Sequence, residues 1–97
     1  MKVTVTQAQE IAERELRRVI ADSTKLSQYE FGEIYLWHEE SQFWTFGAGS
    51  EQLMDEGWAP GAIFVSVDKA NGRIWSQEET GKYYEQIAAA SQHRQAA

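Results

Sequence analysis

The sequence predicts an α+β domain: an amino-terminal helix packed on a four-stranded antiparallel sheet, with a carboxy-terminal helix. Three observations predict it. Ala8, Ile11, Ala12, Leu16, Val19 and Ile20 recur at helical spacing near the start. Three later segments alternate with period two, and the hairpin connections among them are too short for parallel crossovers. A capping signature, Ser76 with Glu79, then opens a closing helix. At 97 residues a single domain over 1–97 is expected, with the polar end, Ser91 to Ala97, frayed.

Thr6 followed by Gln9 fits a capping box, in which each side chain satisfies a free N–H of the first turn. The stripe after it predicts a helix from Thr6 to Ala21. Glu10 and Glu13 early, with Arg17 and Arg18 late, agree with the helix dipole. Asp22-Ser23-Thr24 ends the pattern. From Tyr29 to His38 alternation predicts a strand, with Glu30, Gly32, Ile34, Leu36 and His38 on one side. Tyr29, Phe31, Glu33, Tyr35 and Trp37 take the other. Glu39-Glu40-Ser41 reads as a hairpin tip, and Gln42 to Ala48 as the second strand.

Ala62 to Asp68 makes the third strand. Asp68 to Arg73 is a turn in which Ala70-Asn71 sit in a type I geometry and Gly72 takes the left-handed position. A short fourth strand, Arg73 to Ser76, follows. The closing helix then runs through Tyr83, Tyr84, Ile87 and Ala88, weakened by Gly81.

This arrangement puts Ile34, Leu36, Ile63, Val65, Val67 and Ile74 under the first helix. The second face carries Tyr35, Trp37, Phe64 and Trp75, plus either Phe43 or Trp44 with Phe46. A one-helix, one-sheet domain normally shows polar residues there. The closing helix, a partner protein or a second copy in a homodimer are three ways to cover those aromatics.

Charge excludes several functions. Fifteen acids against nine bases give −6. Residues 26–68 contain no lysine or arginine, yet hold Glu30, Glu33, Glu39, Glu40, Glu51, Asp55, Glu56 and Asp68. Nucleic acid and anionic membranes need clustered bases, so neither is expected as a partner. A basic protein would be attracted. No run approaches the length of a membrane span, the amino terminus lacks a signal-like apolar stretch, and a cytoplasmic location is expected.

Catalytic chemistry is hard to assemble. With no cysteine and only His38 and His93, neither a thiol nucleophile nor a zinc centre is expected. Asp55, Glu56 and Asp68 lack calcium-loop spacing. Glu39 and Glu40 point to opposite faces, so they converge poorly as an acid/base pair. His38 with Ser41 makes half a dyad without an identified orienting acid. Gly47-Ala48-Gly49 lacks the lysine of a phosphate loop. No enzyme signature and no cofactor are expected.

Ser50 to Gly61 breaks a local rule. Ser50 as N-cap and Gly57 as stop predict a short helix whose last turn carries Asp55 and Glu56, where negative charge opposes the dipole. Trp58 follows in a loop fixed by Pro60. Acids beside a loop tryptophan suit protein recognition.

Phe43-Trp44-Thr45-Phe46, the acidic stretch, and Pro60-Gly61-Ala62-Ile63-Phe64-Val65-Ser66-Val67-Asp68-Lys69-Ala70-Asn71-Gly72-Arg73-Ile74-Trp75 resemble the YrhB-like, or immunity protein 35, family. The resemblance covers most of residues 6–88. The loop Gly57-Trp58-Ala59-Pro60-Gly61 departs from the Gly-Asn that the family more usually carries there. The resemblance implies a binding protein that neutralises a cognate bacterial toxin with a basic active-site cleft. Combined with the charge pattern, it makes Glu39, Glu40, Glu51, Asp55, Glu56 and Trp58 the candidate partner-binding residues. The alternative is a chaperone-like or adaptor module using the aromatic sheet face.

Overall fold

A computed structural model describes residues 2–96, with side chains through residue 90. The expected fraying of Ser91 to Ala97 therefore concerns side chains outside the described residues. The α+β architecture is the expected one. In chain order it comprises α1 (Val5–Asp22), β1 (Tyr35–Glu39), β2 (Phe43–Gly49), α2 (Glu51–Asp55), β3 (Ala62–Asp68), β4 (Ile74–Trp75) and α3 (Gln77–Ala96). The four strands form one antiparallel meander in the order β1-β2-β3-β4.

Helix α1 starts earlier than expected. Thr-x-x-Gln occurs twice in succession, and the first copy forms the box. The Gln7 N–H donates to Thr4 Oγ1 at 3.1 Å, and the Thr4 N–H to Gln7 Oε1 at 2.9 Å. Starting at Thr4 also lets the Val3 N–H reach the Lys69 carbonyl at 3.1 Å, which ties the helix entry to the turn after β3. The terminal turns carry neither the acids nor the bases that the dipole argument expected. Instead the charges pair along the helix, Glu15 with Arg18 at 2.6 Å and Arg18 with Asp22 at 3.2 Å.

Ala8, Ala12 and Leu16 press α1 against Trp44, Phe46 and Ala48 of β2 and Val65 and Val67 of β3. The two alanines let the helix approach closely, so the large residues of the strands fill the interface. Each fully buried large side chain contributes about 1.5–3 kcal/mol. Ile34, Ile63 and Ile74 pack on the rim as expected. Leu36 stays 44% exposed although it lies opposite Phe46.

Three strand expectations change. Residues Leu26–Gln28 form a 3-10 turn, and Tyr29 to Ile34 is not part of the sheet; its Gly32 N–H reaches the Gly49 carbonyl at 3.0 Å. Pairing begins only at Tyr35, opposite Gly47. The register then shifts between Leu36 and His38, so Trp37 is the extra residue of a bulge. This sends His38 to the second face opposite Thr45, not to the Leu36 side. Strand β3 matches its expected bounds, and Gly72 has the left-handed φ of 75° with its N–H on the Asp68 carbonyl at 2.9 Å.

Register also resolves the open question in β2: Trp44 and Phe46 lie under α1, and Phe43 lies on the second face. Helix α3 covers only one corner of that face. Tyr83 and Tyr84 stand over Phe43 at 5.1 and 6.3 Å between ring centroids, with Trp75 4.5 Å from Phe43. From Tyr84 to Ala90 the helix is exposed. The molecule measures 50 × 37 × 19 Å with a radius of gyration of 15.2 Å, against about 12.5 Å for a compact chain of this length.

Candidate functional site

The six candidate residues fall at two ends of the sheet. Glu39 and Glu40 sit at the β1–β2 tip, whereas Glu51, Asp55, Glu56 and Trp58 follow the far end of β2. The seven residues of β2 separate the groups by about 20 Å. The structure does not gather them into one surface.

At the tip, both acids have partners. Lys69 Nζ lies 2.6 Å from Glu39 Oε2 and 5.2 Å from the centre of the Trp44 ring. That hydrogen bond and the lysine charge hold the Glu39 carboxyl below its usual range. Glu40 turns to the other face. Its Oε1 lies 2.5 Å from His38 Nε2, and its Oε2 accepts from the Tyr83 hydroxyl at 3.1 Å. His38 thus does have a nearby carboxylate. Ser41, however, is 3.3 Å from the Tyr83 hydroxyl and makes no hydrogen bond to His38 among the described residues, so the half-dyad does not form.

At the far end, α2 stops as expected. The Trp58 N–H reaches back to the Leu53 carbonyl at 3.1 Å and the Gly57 N–H to the Met54 carbonyl at 3.0 Å, a Schellman closure. It requires the positive φ of 94° that Gly57 supplies. The start differs. Ser50 occupies the N-cap, but its hydroxyl donates to Gln52 Oε1 at 2.9 Å and does not cap the helix.

The expected conflict at the end of α2 is half resolved. The Tyr29 hydroxyl donates to Glu56 Oε1 at 2.5 Å, and Lys25 Nζ lies 3.0 Å from the same oxygen. The tyrosine hydrogen bond and then the lysine lower the Glu56 pKa, while that carboxylate raises those of Lys25 and Tyr29. Glu56 is therefore a structural residue that ties α2 to the segment after α1. Glu51 and Asp55 receive no such partner. They stand four apart on one side of a five-residue helix, where like charges oppose folding by about 0.2–0.5 kcal/mol. Among the described residues no Lys, Arg or His makes an ion pair with either, or with Glu30 and Glu33.

Glu30 and Glu51 share one open cleft of about 610 Å³ with Tyr35, Met54 and Pro60. Met54 is 64% and Trp58 54% exposed, so apolar surface adjoins the unpaired acids. The inclusion of Glu30 was not expected from the sequence. The base-free window held the signal, because it contained Glu30, Glu33, Glu51 and Asp55, none of which is paired with a cation among the described residues. Asp68 belongs elsewhere. Burial raises its pKa, but the Trp75 indole N–H at 2.9 Å and the backbone N–H groups of Ala70 and Asn71 outweigh that and lower it.

Among the described residues no group of three His, Cys, Asp or Glu is placed to hold a metal ion. No helix there is long and apolar enough to cross a membrane. No family model, curated protein or solved structure matches the chain.

Proposed function

We propose that this chain is an immunity-type binding protein that neutralises a cognate bacterial toxin by covering a basic surface at the toxin's active site. One observation carries the reading: Glu51 and Asp55 stand together on α2 without a cation, beside the exposed Met54 and Trp58. Like charges four residues apart on a short helix, adjoining apolar surface, are suited to a partner that brings the missing positive charge. Trp58 serves as the aromatic anchor and the acids as steering charges. The family resemblance of the Phe43-to-Trp75 region supports the same reading and makes the protein a non-catalytic, cytoplasmic inhibitor.

The α2 end, with Glu30, replaces the six-residue surface as the proposed site. Glu39, Glu40 and Glu56 already have partners within the chain. A standard interface needs about 800 Å² from each side, within reach of a domain this size.

The test is co-expression with the carboxy-terminal toxic domain encoded by the adjacent upstream reading frame. The wild-type chain should restore growth and co-purify with that domain. A Glu51→Lys/Asp55→Lys double variant should fail at equal expression. Growth restored equally by the double variant would remove the site, and absence of both rescue and co-purification would remove the function.

A further inference from the structure

The uncovered half of the second sheet face points to an occupant. Tyr35, Trp37 and Trp58 are exposed there, and Trp37 stacks on Phe64 with centroids 4.6 Å apart. With Tyr84 and Thr80 of α3 as the opposite wall, Trp37, Trp58 and Phe64 line an open groove of about 500 Å³. Its floor includes Thr45 and Ser66, whose hydroxyls satisfy each other at 2.8 Å and so present little unmet polarity. Glu15, at the α1 side, is the only charged group lining it among the described residues.

Helix α3 shows the complementary fault. Tyr83 and Tyr84 pack on Phe43, but Ile87, one turn further along the Tyr84 side, is 43% exposed. From Gln86 to Ala90 the helix carries no charge. Each chain thus holds an exposed isoleucine, in an uncharged stretch of helix, with no sheet beneath it, and an apolar sheet face with no helix above it.

The area agrees. The chain exposes 6901 Å², whereas a compact monomer of 11.1 kDa exposes about 5,700 Å². The excess of about 1,200 Å² is shared between the open sheet face and the extended chain end, and a stable interface draws roughly 800 Å² from each partner.

We infer that the chain forms a two-fold homodimer in which α3 of each protomer, through Ile87, lies across the Trp37–Phe64 face of its partner. A second copy fits better than a foreign client because it supplies both missing halves in equal number, as an isologous contact requires. A helix about 10–12 Å across, uncharged over this stretch, matches a groove walled by aromatic side chains. The dimer leaves Glu51 and Asp55 free but shares Trp58 with the proposed toxin site, and the existence of the dimer does not depend on the toxin reading. Its salt response is also opposite. Two chains of −6 repel, so added salt should strengthen dimerisation while weakening attraction to a basic protein.

Sedimentation of the full chain over a wide concentration range tests this. The expected limit at high concentration is twice the 11.1 kDa chain mass, reached at lower concentration as salt rises. Ile87→Glu, at a site exposed in the monomer, should weaken dimerisation about tenfold or more because it buries an unpaired charge. The chain has no cysteine, so mixed Trp37→Cys and Ile87→Cys variants should give a disulfide-linked heterodimer on mild oxidation. A monomer at every concentration would overturn the proposal. Hydrophobic dye binding to that monomer would then assign the face to a foreign apolar client. A dimer indifferent to Ile87→Glu and without the Trp37–Ile87 cross-link would overturn it equally.

Discussion

Gly61 is a residue whose replacement the fold tolerates poorly. A Cβ built there would lie 2.9 Å from the Met54 nitrogen and 3.0 Å from its Cα, both backbone atoms of α2 that cannot swing aside. The Gly61 carbonyl also accepts from the Ser50 N–H at 2.9 Å. Gly61→Ala should therefore cost about 1–3 kcal/mol in urea unfolding, while Gly32→Ala, with nothing within 4 Å, should change stability far less. A similar loss in both variants would show that backbone entropy, not the α2 contact, sets the cost. Single-residue contacts of this kind were poorly legible in the sequence. Pro60-Gly61 reads as an ordinary turn, because the approach of Met54 depends on how α2 folds back on the strand. The pairing of Glu56 with Tyr29 and Lys25 was hidden for the same reason, since 27 positions separate Glu56 from Tyr29.

At the scale of elements, the junction from β4 into α3 was legible. Ser76 and Glu79 form the expected box: the Glu79 N–H donates to Ser76 Oγ at 3.1 Å and the Ser76 N–H to Glu79 Oε1 at 2.9 Å. The Arg73 guanidinium adds 2.8 Å contact to the same oxygen, and these bonds lower the Glu79 pKa from 4.5 to about 2. The group therefore favours folding fully above its unfolded pKa of 4.5 and loses that contribution as pH falls towards 2. Thermal midpoints of wild type and Glu79→Gln should converge over that window, the variant being less stable near neutrality and similar at the acid end. A constant gap would show that the carboxylate charge is not what holds the cap. Ser76→Ala should cost about 1 kcal/mol, and Gly81→Ala should return about as much to the helix interior.

Strand β1 was less legible than this junction. Alternation from Tyr29 to His38 satisfies period two but cannot reveal where pairing begins or that Trp37 bulges. The bulge is decided by the register of β2, fixed in turn by Trp44 and Phe46 under α1. Strand β3 needed no such information. Its Ile63, Val65 and Val67 alternate against a face buried by α1, where a one-residue slip would expose all three.

At the scale of the whole molecule, the −6 excess is divided by the length of the sheet. Sequence located it between Ser27 and Asp68 correctly, but linear distance concealed that its two clusters lie about 20 Å apart. That separation exceeds twice the Debye length of about 8 Å at physiological ionic strength. The two ends are therefore electrostatically independent in solution, and a partner docked at one is hardly steered by the other. Neutralising pairs of equal charge should expose the difference. Glu51→Gln/Asp55→Asn should slow association with the toxic domain and flatten its dependence on salt, with little change in the dissociation rate if the acids steer and do not anchor. Glu39→Gln/Glu40→Gln, removing the same charge from the opposite end, should leave both association rate and salt slope near wild type. Trp58→Ala should do the reverse of the first pair, raising the dissociation rate while the association rate holds. Stopped-flow measurements across a salt series separate the three variants. Equal slowing by the two charge pairs would mean that the partner reads net charge alone and that the α2 surface has no special place in binding.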